Sequence, residues 1–277
     1  MPYSCEISRG NPTCFVFLLD QSRSMSEQFG EQTQSKAAFV ADVVNRTLHD
    51  LVIRSTRTEE VRNYYYVSVI GYGRSVGPAL AGSLVAKIHV PISEVAENPA
   101  RIETRTKKTP TREGSLVEQQ VRFPVWVDPV FGGWTHMCAG LGCVRDILDE
   151  WISERREGFP PTVLHLTDGA STDGDPTSIA TEILSRSTTD GNVLLFNCHV
   201  SARNSIKIEY PDNAAGLPER HARTLFNISS VLPETFVRAA GQVGLTILPG
   251  ARGFVFNGDP VSVAQFFEIG MRPANLR

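Results

Sequence analysis

Five consecutive apolar residues, Phe15-Val16-Phe17-Leu18-Leu19, run directly into Asp20-Gln21-Ser22-Arg23-Ser24. A strand without polar alternation has both faces covered, the condition of a central strand in a parallel sheet with helices on either side. The run ends on a carboxylate and two hydroxyls. In open α/β sheets ligands bind beyond the carboxyl ends of the strands, so these oxygens stand where such a fold does its chemistry. An all-oxygen set suits a hard cation, Mg2+ or Ca2+, over a soft one. One carboxylate and two neutral hydroxyls do not satisfy such an ion alone, so other segments must contribute.

Two later segments have the right chemistry. Phe131-Gly132-Gly133-Trp134-Thr135 is a glycine turn ending in a hydroxyl, and Thr162-Val163-Leu164-His165-Leu166-Thr167-Asp168-Gly169 is a second apolar run ending in Asp-Gly. Directly after Thr135, Met137, Leu141, Val144, Ile147, Leu148 and Trp151 recur at helical spacing, which places a helix start, with its positive end and free amides, beside the candidate ion. An apolar stripe from Ala37 to Val52 gives a further helix, and Tyr64 to Tyr72 and Asn192 to Val200 read as strands. Helices at Thr177–Ser187, Pro233–Gly241 and Val261–Gly270 and a last strand at Gly253–Asn257 complete an alternation of strands and helices. Asp173 or Asp175, with Pro176 at the first turn, is the expected cap of the 177–187 helix.

That alternation implies an α/β fold with a doubly wound, mostly parallel central sheet flanked by helices, as one domain over 1–277. Two irregular insertions, at about 74–130 and 201–230, interrupt it. In the first, Leu84–Val90 and Val121–Val127 read as strands. The polar run from Arg101 to Arg112, with Arg101, Arg105, Lys107, Lys108 and Arg112, reads as a solvated loop or as a docking loop for an acidic partner.

Asp-x-Ser-x-Ser at one strand end, Thr135 ahead of a helix and Asp168 at another strand end together resemble a von Willebrand factor A domain. The resemblance implies a metal-ion-dependent adhesion site in which Ser22, Ser24 and Thr135 bind the metal and Asp20 and Asp168 act through bound water. It implies Mg2+, with Ca2+ or Mn2+ as alternatives, and a protein partner that offers an Asp or Glu carboxylate to the ion. Arg23 stands where the family usually has Gly. The chain is similar to small bacterial cytoplasmic members, including the tellurium-resistance-associated type found with a protein kinase and a phosphatase; partners of AAA-type ATPases are the alternative adaptor role.

Composition narrows the remaining classes. With 27 basic and 30 acidic side chains the net charge is -3, so no basic field points to nucleic acid or an anionic membrane. No run of about 18 apolar residues suggests a membrane span, and the first residues lack a signal-peptide pattern. Five cysteines without a CxxC pair fit reduced thiols in a cytoplasmic protein. No HExxH accompanies His136, His165 and His199, which read as structural histidines. No P-loop is present, and Ser22 occupies the place where an Mg2+-dependent phosphohydrolase would carry a second carboxylate, so a binding module rather than an enzyme is expected. Trp134 reads equally as a partner anchor or a packed side chain.

Overall fold

All eight residues of the first strand, Thr13–Asp20, are buried. The computed structural model describes residues 2–30, 33–110, 116–200, 206–242 and 244–271. In chain order the main elements are β1 (Thr13–Asp20), α1 (Lys36–Ser55), β2 (Tyr65–Tyr72), β3 (Val76–Pro78), β4 (Val90–Pro91), α2 (Ile92–Glu97), β5 (Arg101–Pro110), β6 (Leu116–Val125), α3 (Met137–Glu154), β7 (Thr162–Thr167), α4 (Thr177–Ser185), β8 (Leu194–Val200), β9 (Ile208–Glu209), α5 (Arg220–Asn227), α6 (Glu234–Gln242), β10 (Phe254–Gly258) and α7 (Pro260–Gly270).

The main sheet runs β9-β10-β8-β7-β1-β2-β3, with β4 also paired to β2. Strands β2, β1, β7, β8 and β10 are parallel, and the antiparallel additions β3, β4 and β9 lie at the two edges. This is the doubly wound, mostly parallel sheet read from the sequence. Among the parallel strands the order reverses between β1 and β7. That reversal is the topological switch point, where the connections leave on opposite faces and open a crevice at the strand tips.

Alternation along β1 divides the core. Phe15, Phe17 and Leu19 pack with α1, α6 and α7, whereas Cys14, Val16 and Leu18 pack with α3, α4 and α5. Phe17 stacks on Phe267 of α7 at 5.8 Å. Burying each such side chain contributes about 1.5–3 kcal/mol, so β1 is a firmly held platform for a site. Ser35 caps α1 by accepting a bond from Ala38 N (3.2 Å), and Asp259 caps α7 through Ser262 N (2.8 Å), with Pro260 opening the helix.

One polar line crosses the core. The Tyr72 hydroxyl donates to His165 Nε2 (2.7 Å), His165 Nδ1 donates to Asn197 Oδ1 (2.7 Å), and Asn197 Nδ2 donates to Ser229 Oγ (2.8 Å). An amide oxygen only accepts, so the network assigns the imidazole proton to Nδ1. Burial lowers the His165 pKa to about 4, which keeps it neutral.

Several expectations are corrected. Leu84–Val90 is not a strand: a short 3-10 turn at Gly82–Leu84 leads through His89 to the two residues of β4. The polar run from Arg101 is not a solvated loop over its described part, because β5 pairs antiparallel with β6 over ten residues; Arg112 and the 111–115 turn lie outside the described residues. The hairpin docks on α1, where Arg105 pairs with Asp42 and lies 3.7 Å over the Phe123 ring. The second insertion is only partly irregular, since it holds β9 and α5; residues 201–205 lie outside the described residues. Asp175 does accept Thr177 N (2.9 Å) at the start of α4, but Asp173 is committed elsewhere.

Asn45, buried within α1, fixes the chain that leaves the hairpin. Its Oδ1 accepts from Trp126 N (2.8 Å) and Val127 N (3.0 Å), and its Nδ2 donates to Val127 O (2.9 Å). Asn45→Ala leaves three buried backbone groups without partners, and a loss of about 2–4 kcal/mol is expected in urea unfolding, with the slope unchanged.

Candidate metal centre

The tips of β1 and β7 lie side by side, with Leu19 opposite Leu166. This register brings Asp20 and the Thr167-Asp168 pair to the switch point. Both carboxylates are withdrawn from solvent: Asp20 is 2% exposed and the Asp168 side chain 0%. Asp20 Oδ1 accepts from Ser22 N (2.8 Å) and Oδ2 from the Thr167 hydroxyl (2.7 Å). The first bond closes the Asp-x-Ser turn on itself. Ser22 Oγ lies 3.1 Å from Ser24 Oγ, and Ser24 Oγ donates to Asp168 Oδ1 (2.7 Å). Asp20, Ser22, Ser24 and Asp168 are thereby joined in one run of contacts, the first through the Ser22 amide and the next two through hydroxyls.

Thr135 enters through the backbone. Gly132 N donates to Gln21 O (2.8 Å), Arg23 N to Gly133 O (3.2 Å), and Thr172 N to Thr135 O (3.0 Å). The glycine turn is therefore stitched to the Asp-x-Ser-x-Ser loop on one side and to the loop after β7 on the other. Thr135 itself is buried. Two glycines permit this approach: a Cβ on Gly73 would stand 2.3 Å from Gln21 O and 2.8 Å from Gly132 O, and Gly133 has φ +77 against the Arg74 backbone. Arg23 is exposed while its amide serves the loop closure, so its long side chain is accommodated with the backbone bond intact.

Asp173 accepts from Cys138 N (3.0 Å), Ala139 N (2.9 Å) and Ser171 Oγ (2.8 Å). The first amides of α3, expected to face an ion or an anionic ligand, are instead satisfied by this carboxylate, which ties the loop after β7 to the helix that follows Thr135. His136 is half-buried at the start of that helix. His199, at the tip of β8, stacks on Phe256 at 4.8 Å and accepts from Asn257 N (3.4 Å). Burial, then the neighbouring His221 and Lys36, lowers its pKa to about 3. Both His165 and His199 are thus structural. Among the described residues no three His, Cys, Asp or Glu side chains converge as a metal group, so a metal here would depend on the hydroxyls.

Two residues of the cluster were not singled out from the sequence. Thr167 is a hydroxyl inside an otherwise apolar strand end. Lys36, 4% exposed at the first position of α1, places Nζ 2.8 Å from Asp168 Oδ2 and 2.8 Å from Glu27 Oε2. Its only sequence signal is a cation in register with the buried stripe of α1, four residues before Val40.

The donor set fits a hard divalent ion: the Ser22 and Ser24 hydroxyls and the two carboxylates form one linked oxygen group, and buried Thr135 is stitched to the same loops through its backbone. Electrostatics agree with that fit. Burial first, and then the Asp168 charge, raises the Asp20 pKa to about 6 despite the bonds from Ser22 and Thr167. A cation nearby would relieve both effects.

No family model and no curated protein matches the chain. Among solved structures it is similar to proximal thread matrix protein 1 from the mussel byssus, with TM-score 0.49 and 12% identity over 98% of this chain and 49% of that one. It is similar to the pilus adhesin SpaC from Lactobacillus rhamnosus GG at TM-score 0.48 and 11% identity, over 95% of this chain and 30% of that one. It is also similar to the ArnB paralog VWA2 from Sulfolobus acidocaldarius at TM-score 0.35 and 12% identity, over 69% of this chain and 35% of that one. The chain spans between 30% and 49% of the length of these structures. At such identities and scores they carry no statement about the site.

The raised Asp20 pKa has a definite sign. A carboxyl whose folded pKa lies near 6, above its ordinary 3.8, favours folding in the protonated form; that contribution is lost as pH rises through 6. In chelator, Asp20→Asn is therefore expected to gain on wild type in melting temperature between pH 4 and pH 7, by the equivalent of roughly 2–3 kcal/mol. A pH-independent difference between the two melts contradicts this assignment.

Proposed function

We propose that the chain is a binding module of the von Willebrand A type, in which Ser22, Ser24 and Thr135, with Asp20 and Asp168 behind them, hold a divalent cation, Mg2+ before Ca2+ or Mn2+. The observation that carries this reading is the continuous set of contacts from Asp20 through Ser22 and Ser24 to Asp168 at the switch point of the sheet. When bound, the ion supplies an electrophilic position for an acidic side chain. The protein's own part is to keep neutral hydroxyls closest to it, so that positive charge remains to attract a partner's Asp or Glu.

The surface around the site suits such a partner. Trp134 is 70% exposed and Phe131 52% exposed, on the turn that ends in Thr135, and Arg23 and Arg74 are exposed beside them. Exposed aromatic side chains concentrate binding energy, and two arginines favour an acidic approach. Of the two expectations for Trp134, this exposure supports the partner anchor. Among the described residues no helix is long and apolar enough to cross a membrane.

A Mg2+-dependent phosphohydrolase is the competing reading, with Asp20 as nucleophile. Burial and two accepted hydrogen bonds leave Asp20 facing the protein, which supports binding over hydrolysis. Service as an adaptor in a kinase and phosphatase system, or beside an AAA-type ATPase, follows only from the family resemblance and stays part of the proposal.

Calorimetric titration tests the reading. Wild type is expected to bind Mg2+ saturably, and the Ser22→Ala/Ser24→Ala double variant, folded by circular dichroism, to lose at least tenfold in affinity, about 1.4 kcal/mol or more. Equal binding by both proteins removes the site. Trp134→Ala is expected to weaken capture of an acidic partner by about 1–3 kcal/mol while leaving the Mg2+ isotherm unchanged.

A further inference from the structure

Lys36 is in a place that a lysine does not occupy without a reason. It is the first residue of α1, where the helix dipole presents its positive end and disfavours a cation, and it is 4% exposed. Burial alone would also lower its pKa; the bonds and charges of Asp168 and Glu27 outweigh that, and the net direction is upward. The ammonium is thus held charged inside the oxygen cluster.

Its partners divide unequally. The Asp168 side chain is fully buried, with Oδ1 taken by Ser24 and Oδ2 by Lys36. Glu27, the second partner at 2.8 Å, has a side chain that is 61% exposed. Lys36 therefore bridges a buried carboxylate belonging to the site and an outer carboxylate that remains on the rim. Of the two buried carboxylates, Asp168 takes this ammonium, and Asp20 is served by Ser22 N and the Thr167 hydroxyl instead.

We infer that Lys36 is a tethered cation of the metal centre: it supplies standing positive charge to buried Asp168, and it sets the affinity threshold for a divalent ion by competing for that carboxylate. This rests on the metal-binding reading above. Entry of a divalent ion brings two further positive charges beside the ammonium. Lys36 then gives up Asp168 Oδ2 and retains Glu27, a contact already made. The module consequently folds at low divalent concentration and loads only where the ion is plentiful or where a partner carboxylate adds to the binding.

The test uses the whole chain with Mg2+ as the probe, at fixed pH. Lys36→Gln keeps a donor and most of the side-chain length but removes the charge. It is expected to bind Mg2+ on the order of tenfold or more tightly than wild type, because a repulsive unit charge at ion-pair range is gone. In chelator it is expected to melt lower than wild type, and to recover as Mg2+ is added, since a ligand that binds only the folded state stabilises it. Lys36→Arg, which keeps the charge, is expected to stay near wild type.

Glu27→Gln is the second variant, at an exposed carboxylate whose loss does not threaten folding. It removes the partner to which Lys36 retreats, and Mg2+ affinity is expected to fall several-fold. If wild type binds Mg2+ while Lys36→Gln, folded, binds it equally or more weakly, or if Glu27→Gln is without effect, the tethered-cation role is overturned and the metal site stands. If neither wild type nor Lys36→Gln binds Mg2+, the metal reading and this inference fall together.

Discussion

Two carboxylates buried side by side at the tips of adjacent parallel strands are the constraint around which this structure is arranged. Asp20 and Asp168 repel one another in a medium that screens poorly, and each is cut off from water. The surroundings respond with donors on every available oxygen. A backbone amide and the Thr167 hydroxyl serve Asp20; the Ser24 hydroxyl and the Lys36 ammonium serve Asp168. Without these, the desolvated pair would oppose the pairing of β1 with β7 at the point where the sheet order reverses.

The rest of the fold supplies rigidity to that point. β1 is held from both faces by two helical layers, and α1 begins at Lys36 while its interior, at Asn45, fixes the chain beyond the hairpin. That chain runs on to the glycine turn and Thr135. Asp173 closes the other side by tying the loop after β7 to the first amides of α3. Three loops that are distant in sequence are thus clamped together by backbone bonds, and the scaffold supports the oxygens they carry. Preorganisation of this kind keeps the conformational entropy of assembling a site out of the binding step.

Much of this was legible in the sequence because it follows from patterns with a direct physical cause. The unbroken apolar run Phe15–Leu19 and the largely apolar Thr162–Leu166 marked buried parallel strands, and a period of three to four marked α1 and α3. The polar ends of those runs located the site. What escaped the sequence reading depends on tertiary pairing. Arg101 to Lys108 reads as a solvated stretch until β6 is found opposite it and Phe123 beneath Arg105. Asp173, beside a proline-opened helix, looks like that helix's cap, yet it turns to α3, whose amides are nearer in space than in sequence. Lys36 was passed over because one charged residue at a helix start is usually solvent-facing; only the position of Asp168 shows why this one is buried.

The central claim is that hydroxyls of Ser22, Ser24 and Thr135 form a divalent-cation site at the switch point of the sheet. The most direct test is a crystal structure with Mn2+, located by its anomalous scattering. The account predicts one strong peak in contact with Ser22 Oγ and Ser24 Oγ, beside Thr135, with Lys36 Nζ displaced from Asp168 toward Glu27. Full Mn2+ exposure with no peak there, or with the ion on other side chains and the Ser24–Asp168–Lys36 contacts unchanged, would contradict it.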